Sequence, residues 1–358
     1  MKKQGISGVK IAMVYIGTVV GAGFATGQEI LQFFVSFGLP GVWGIVLSTA
    51  LFVGYGVLIM QLGMKLGAKS HLEVIRKVGG PGFRVLMDAL IMISLFGGLT
   101  AMLAGSGALF AQQFGLPVIL GAAVMGILTA ITVLCGLDGV IGAISAVVPF
   151  LLVSVIGISV YTLLNAPPDV QTAAPGGSGG LMGNWLWAAI LYASYNILLS
   201  AAVLAPLGAA ARDRRAMRRG SALGGIGLGA AALMIYLALS AGQTETRGLE
   251  VPLLDLAGRM APTVGGMFSV VLLAEIYTTA VGSLYGFSAR IGSLGRLGAS
   301  KIIIGTSILA FFASLLGFSN LVRYLYPLQG YGGIVFLAAL AFNRVRRGAR
   351  PQTQSRQA

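Results

Sequence analysis

The feature that most constrains this chain is a succession of long apolar segments separated by short polar ones. A helix that crosses a bilayer needs about 20 mainly apolar residues. Ten segments reach that length, near residues 9–33, 39–62, 85–110, 117–135, 139–164, 184–208, 220–241, 263–289, 299–318 and 322–342. Because lipid offers no hydrogen-bond partners to the backbone, such segments must be helices. The sequence therefore predicts an all-α polytopic membrane protein with about ten transmembrane helices.

The basic residues between these segments predict the topology. If the N-terminus is cytoplasmic, 21 of the 24 Lys and Arg residues fall on the cytoplasmic side, and the three on the outer side are Arg247, Arg259 and Arg323. Cytoplasmic loops carry an excess of Lys and Arg, so we expect a multi-pass protein of the bacterial cytoplasmic (inner) membrane with both termini inside. Residues 1–342 are then one transmembrane domain, and residues 343–358 are a basic cytoplasmic tail that contacts membrane lipid.

A stretch rich in Pro, Gly and Ser at residues 165–183 divides the ten spans into two groups of five, about 9–164 and 184–342. Five is an odd number of crossings, so two related groups in succession must insert in opposite directions, as in a 5+5 inverted repeat. Leu72-Glu73-Val74 recurs as Leu249-Glu250-Val251 at the equivalent point of the second group. We expect a short surface helix at each of these two places.

The first span contains a run of glycines at mid-depth. Gly21 lies eleven residues beyond Lys10, or about 16 Å along a helix, which is near the centre of a hydrocarbon core about 30 Å thick. Backbone groups freed at that depth must face protein or a polar cavity. The run therefore predicts an unwound stretch that lines a binding cavity. The alternative is a packing face of small residues, such as Gly17 with Gly21 or Gly23 with Gly27.

The first span of the second group carries a polar cluster at the same depth. Ser194, Tyr195 and Asn196 follow Trp185 by about ten residues, and polar side chains are costly where they face lipid. We expect a second break here, so that helices 1 and 6 are both discontinuous; the alternative is hydrogen bonding between helices. The predicted substrate-binding residues are Gly21, Ala22, Gly23, Phe24, Tyr192, Ser194, Tyr195 and Asn196.

A resemblance to a known family appears in span 1. The segments G-T-V-V-G-A-G at Gly17–Gly23 and F-A-T-G-Q-E-I at Phe24–Ile30 resemble the YkvI-like bacterial membrane proteins. That family is placed in the amino acid, polyamine and organocation (APC) transporter superfamily. The resemblance implies the LeuT-type fold, in which discontinuous helices meet at a midplane binding site. It implies no particular substrate.

Span 8 carries a polar face at depth. Glu275, Thr278 and Thr279 are spaced so that they share one side of a helix, and a deep carboxyl beside hydroxyls suits either a cation site or a proton relay. Similarity to sodium-coupled members of the fold implies that the span 1 break also contributes, which gives an ion-coupling set of Gly17, Val20, Glu275, Thr278 and Thr279. Within it, Na⁺ would lie at Gly17, Val20, Thr278 and Thr279. The alternatives are threonines that bond their own backbone and a carboxyl that carries a proton.

Charged side chains near the span ends suggest contacts between helices. Glu29 lies near the outer end of span 1 and Arg323 opens span 10 from the outer side, so we expect them to pair as an outer gate; the alternative is that both reach water. Asp88 follows Arg84 by four residues on span 3, which predicts a local ion pair.

These observations predict secondary active transport rather than catalysis. The predicted activity is Na⁺- or H⁺-coupled symport of a small polar organic solute, such as an amino acid or amine, by alternating access. The alternative is a membrane sensor of the same fold that binds the solute without moving it. With one His and one Cys and no catalytic motif, we expect no enzyme activity and no cofactor beyond the coupling ion. We expect no nucleic-acid partner, because the basic residues belong to loops. The oligomeric state is left open.

Overall fold

The computed structural model describes residues 5–68, 70–135, 140–170, 181–241, 248–294 and 298–348. The regular structure in these ranges is helical. The helices are α1 Gly8–Val19, α2 Ala22–Ala25, α3 Gln28–Phe33, α4 Leu39–Leu66, α5 His71–Val78, α6 Pro81–Phe114, α7 Val118–Cys135, α8 Val140–Asn165, α9 Trp185–Ala209, α10 Arg214–Ala241, α11 Pro252–Met260, α12 Pro262–Leu294, α13 Ala299–Ser314 and α14 Phe318–Gly348.

Seven of the described helices are long and apolar enough to cross a membrane, namely α4, α6, α7, α9, α10, α12 and α14. Three shorter apolar helical segments, Gly8–Val19, Pro149–Asn165 and Ala299–Ser314, fall within predicted spans 1, 5 and 9. Every predicted span thus contains an apolar helix. The chain is a membrane protein.

The helix ends follow local sequence. Helix α4 starts after Gly38, has a proline in its first turn and stops at Gly67, whose left-handed backbone (φ 58°) favours glycine. Helix α9 starts at Asn184, whose side chain accepts a hydrogen bond from the Trp187 backbone N–H at 2.9 Å. These signals fix where a span starts and stops but not how spans pack.

Close approaches at glycines hold α9 between α4 and α14. A Cβ atom added at Gly63 would lie 2.0 Å from the Ala205 carbonyl oxygen, and one at Gly333 would lie 2.4 Å from the Ser194 carbonyl oxygen. Without side chains, the backbones of neighbouring helices can touch, as small residues permit in membranes. Helix α9 is therefore packed backbone to backbone on two sides.

Span 1 is broken at the predicted residues. Helix α1 stops at Val19, Val20 and Gly21 have extended backbones, and α2 begins at Ala22. A second interruption follows at Gly27, whose φ of 82° is left-handed and turns the chain into α3. The predicted break in helix 1 is confirmed.

Span 6 is not broken, so the prediction of a discontinuous helix 6 is wrong. Helix α9 runs without interruption through the polar cluster. The Ser194 hydroxyl donates to the Ile190 carbonyl at 2.6 Å, and the Asn196 amide donates to the Tyr192 carbonyl at 3.0 Å. Because both side chains bond within their own helix, and residues 185–205 contain no glycine or proline, nothing there disrupts the backbone ladder.

The two expected short helices are present as α5 and α11. Leu72-Glu73-Val74 lies within α5, whereas Leu249-Glu250-Val251 precedes α11. Helix α11 packs over the C-terminal end of the span 1 break, because the Leu253 backbone N–H donates to the Thr26 carbonyl at 3.0 Å.

The structure differs from two other expectations, the ion pair of Asp88 and the start of the C-terminal tail. Asp88 pairs with Arg290 of α12, whose Nε donates to the two carboxylate oxygens at 2.9 and 3.0 Å. The predicted pair with Arg84 is wrong because a neighbouring helix supplies the guanidinium. Helix α14 continues to Gly348, past the start of the predicted tail at residue 343. Residues 349–358 of that tail, and 171–180 of the predicted dividing loop, lie outside the described residues.

Candidate functional site

A cavity of about 300 Å³ lies at the break in span 1. The interrupted helix forms one wall, and α6, α9, α12 and α14 supply the others. Freed backbone groups at a break need a polar or protein-lined surrounding, which this cavity provides.

Most of the predicted site residues meet in this cavity. The lining contains the five predicted ion-coupling residues, five of the eight predicted substrate-binding residues, and Glu29; these are Gly17, Val20, Glu275, Thr278, Thr279, Gly21, Ala22, Gly23, Tyr195, Asn196 and Glu29. Three predicted substrate-binding residues are not part of the lining. Phe24 and Tyr192 are buried in the protein core, and Ser194 is buried against α14.

The Glu29 side chain is 6% exposed and faces the cavity. The Tyr195 hydroxyl donates to Glu29 Oε2 at 2.5 Å. On the other side, Glu29 Oε1 lies only 2.1 Å from where a Cβ of residue 23 would stand. Glycine at position 23 therefore leaves the space that the Glu29 carboxyl group occupies.

The expected gate between Glu29 and Arg323 is not formed in this structure. Among the described residues Glu29 has no ion pair, and the Arg323 guanidinium lies 5.7 Å from the centre of the Tyr324 ring. The turn at Gly27 explains the difference. Because the chain changes direction there, Glu29 points back to the break instead of away from it along a straight helix.

Aromatic rings form the wall beside Glu29. The Tyr195 ring centre is 5.2 Å from that of Tyr326, which also lines the cavity. The Tyr192 and Phe33 rings lie behind Tyr195, at 5.7 and 5.9 Å between centres. This layer of rings fixes the Tyr195 hydroxyl that reaches Glu29.

Glu275 is the second carboxyl group in the cavity and is 4% exposed. It is hydrogen-bonded to Thr279, while its Oε2 atom is buried without a hydrogen-bond partner in the part of the chain that the structure describes. The Thr278 hydroxyl donates to the Glu275 carbonyl at 3.0 Å, and its oxygen keeps lone pairs that can accept or ligate. A buried carboxylate with a free oxygen needs a proton or a cation.

Several lining residues were not expected from the sequence. They are Thr18, Val19, Ser94, Leu95, Gly98, Met102, Leu199, Ser283, Tyr326 and Gln329. Ser283 could have been found, because it follows Thr279 by four residues and so shares its helix face. Gln329 was also detectable as an amide within an apolar span. The lining residues on α6 lie in a stretch of the sequence with no local pattern that predicts a binding site.

The cavity is acidic in character. Among the described residues that line it, none is Lys, Arg or His, while both Glu29 and Glu275 contribute. The arrangement can therefore hold positive charge.

Two curated relatives cover nearly the whole chain. The uncharacterized membrane protein YkvI of Bacillus subtilis is 29% identical over 349 residues, covering 97% of this chain and 99% of the relative. The uncharacterized protein YyaD of the same organism is 27% identical over 335 residues, covering 93% of this chain and 96% of the relative. No family model matches the chain. These relatives are consistent with the resemblance in span 1.

Solved transporter structures share the fold. A Na⁺-coupled sialic acid symporter in a substrate-bound outward-open state aligns over 95% of this chain and 82% of its own, with a TM-score of 0.65 and 13% identity. Mhp1, a nucleobase-cation-symport-1 family transporter, aligns in a closed form over 98% and 81%, with a TM-score of 0.64 and 12% identity. MhsT in complex with L-phenylalanine aligns over 96% and 93%, with a TM-score of 0.57 and 16% identity. The chain has the fold of LeuT-type transporters.

Proposed function

We propose that this protein is a secondary active transporter of the APC superfamily that moves a small polar organic solute, such as an amino acid or amine, together with Na⁺ or H⁺ by alternating access. One observation carries the proposal. The broken first span opens onto a cavity that collects two buried carboxyl groups, Glu29 and Glu275, and the hydroxyls of span 8. Midplane sites at helix breaks are where transporters of this fold bind their cargo.

The topology that accompanies this proposal is ten spans in a 5+5 inverted repeat, with both termini in the cytoplasm of a bacterial cell. The seven long apolar helices and the three shorter ones support that count. The asymmetry of Lys and Arg supports the orientation, and the short helices α5 and α11 support the repeat because they occupy equivalent places in the two halves.

The coupling site in this proposal lies between the break and span 8. The last carbonyl groups of a helix have no intrahelical partner, and α1 ends at Val19, so carbonyl oxygens of Gly17 and Val20 are available in the cavity. Together with Thr278 and Thr279 they offer the oxygen ligands that hard cations take. Glu275 supplies either a negative charge for Na⁺ or the group that carries H⁺.

The test is uptake by purified protein in proteoliposomes, using solutes that raise its melting temperature in a small-solute panel. Uptake is driven by a Na⁺ gradient or a pH gradient, with K⁺ as the replacement ion. We expect Thr278→Ala to lower Na⁺-driven uptake, or Glu275→Gln to lower H⁺-driven uptake, by at least about tenfold, because each change removes a contact to a charge worth about 1.5–3 kcal/mol.

The matched control is Thr162→Ala. Its hydroxyl also bonds its own helix, donating to the Ile158 carbonyl at 2.9 Å, but it lies on α8 and does not line the cavity. Uptake should be unchanged in this variant. Solute binding with no uptake under either gradient contradicts transport and supports the sensor.

A further inference from the structure

We propose that the solute is an organic cation, whose ammonium group binds against the Glu29 carboxylate while Glu275 is left to the coupling cation. This inference rests on the proposed function, because it takes the bound amine to be the transported solute; the inference itself concerns only what the cavity binds. It favours amines without a carboxylate over amino acids, whereas the proposed function does not distinguish between these two kinds of solute.

The charges in the cavity carry the first step. Two carboxyl groups, 6% and 4% exposed, line it, and no described lining residue is basic. A carboxylate removed from water is stable only if it is neutralised or paired. One coupling cation balances one of the two groups, and a solute with a single positive charge balances the other. A zwitterion would add a third carboxylate to the same space.

The surroundings of Glu29 carry the second step. Tyr195 donates to Oε2 and fixes the carboxyl group, while Gly23 leaves room for Oε1 against the break. The group is thus held in place by its neighbours yet not neutralised by any basic residue of the lining. A carboxylate positioned in this way is suited to a charge-assisted hydrogen bond from an ammonium group.

The rings beside Glu29 carry the third step. Tyr195 and Tyr326 lie 5.2 Å apart between ring centres and both line the cavity. A cation close to a tyrosine ring is attracted by the negative face of that ring. The volume of about 300 Å³ is at the lower end of ligand pockets, about 300–1,000 Å³, so the amine must be small.

Glu275 gives an independent sign that a second cation belongs in the cavity. Its Oε2 atom is buried with no hydrogen-bond partner among the described residues. The Thr279 hydroxyl bonds to the carboxyl group, and the Thr278 hydroxyl, on the same helix face, bonds to the Glu275 backbone carbonyl. Hydroxyl and carboxylate oxygens suit an inorganic cation or a proton, whereas the aromatic rings lie on the Glu29 side. The two carboxyl groups therefore have different partners.

The experiment compares matched probes on the purified full-length protein by calorimetry and by proteoliposome uptake. Tyramine, tyrosine and tyrosol share one ring and differ in carrying an ammonium group, an ammonium group with a carboxylate, or a hydroxyl. Butylamine, norvaline and butanol repeat the comparison on an aliphatic chain. We expect at least one amine to bind at least about tenfold more tightly than both of its partners, since an ionic hydrogen bond is worth about that factor.

Variants of Glu29 then locate the site. Glu29→Gln, which keeps the shape and removes the charge, should weaken amine binding at least tenfold, and Glu29→Asp should retain part of it. The matched control is Glu73→Gln, which removes a carboxyl on the short helix α5, outside the cavity. The melting temperature without ligand, and its response to Na⁺ or to pH, shows that the Glu29 variants are folded and keep the second site.

The proposal is overturned if zwitterions or alcohols bind as well as their amines, if no amine of the panel binds, or if amine binding is unchanged in Glu29→Gln. Tight binding of Mn²⁺ alone that is lost in both Glu29→Gln and Glu275→Gln also overturns it, because a divalent ion would then bridge the carboxyl groups. Uptake of a neutral or zwitterionic solute leaves transport standing and removes the amine site. Amine binding without uptake supports the amine site and contradicts transport.

Discussion

Span 1 and helix α9 line the same cavity, yet they contribute in opposite ways. Span 1 is interrupted at Val20 and Gly21 and presents backbone groups together with Glu29. Helix α9 is continuous and presents side chains, Tyr195 and Asn196 among them. A polar cluster in the middle of an apolar helix therefore does not by itself break that helix.

The difference arises from what each sequence offers the backbone. In span 1, the glycines have no side chains that could pack or form hydrogen bonds to keep the helix regular, and Gly27 adopts a left-handed turn. In α9, Ser194 and Asn196 bond carbonyls one turn earlier, and glycines on α4 and α14 clamp the helix. We therefore expect substitutions in the two helices to change solute affinity by different amounts.

The largest effect should come from the broken helix. Gly23→Ala places a Cβ atom 2.1 Å from Glu29 Oε1, so the carboxyl group must move. Because the Glu29 side chain is flexible, it can move without a change in the fold. We expect tyramine affinity to fall by about 100-fold, as for a lost ionic contact of about 3 kcal/mol, with the melting temperature nearly unchanged. Calorimetry and thermal melts measure both.

The control is Gly21→Ala, at the neighbouring break position. A Cβ there would have no atom within 4 Å, and the extended backbone suits alanine, so binding should stay within about twofold, a few tenths of a kcal/mol. Equal damage from the two substitutions would mean that backbone freedom, not the placement of Glu29, sets the affinity.

An intermediate effect should come from the continuous helix. Tyr195→Phe removes the hydroxyl that donates to Glu29 Oε2, and we expect about a tenfold loss of tyramine affinity, since hydrogen bonds to charged groups are worth about 1.5–3 kcal/mol. The control is Tyr192→Phe, whose ring packs on Phe34 at 4.9 Å and does not line the cavity. A larger loss in Tyr192→Phe than in Tyr195→Phe would mean that the tyrosine behind the cavity wall, and not the one that bonds Glu29, determines the affinity.

The smallest effect should separate two neighbours on α9. Asn196 lines the cavity and Ser194 does not, although each bonds its own helix. Asn196→Ala should reduce binding about threefold, less than 1 kcal/mol, and Ser194→Ala should leave it unchanged in the same titration. The opposite ranking would show that α9 rotates or opens at the polar cluster when solute binds.

Much of the site could be predicted because its signals are local. The glycine run placed the break at Gly21, and helical spacing placed Glu275, Thr278 and Thr279 on one face; the structure brings all of them to one cavity. The proposed roles of these residues stay predictions. The errors came where local sequence is ambiguous, as at Ser194 and Asn196, whose polar groups are satisfied within a continuous helix.

The sequence by itself determined the membrane setting, the apolar helices and the weak point of span 1, because hydropathy, helix length and glycine content act over a few turns. The tertiary structure decided which side chains face each other. Glu29 bonds Tyr195 across 166 residues, and Asp88 bonds Arg290 across 202. Such pairs depend on how the chain turns at Gly27 and how helices pack around it, and no local pattern encodes that direction.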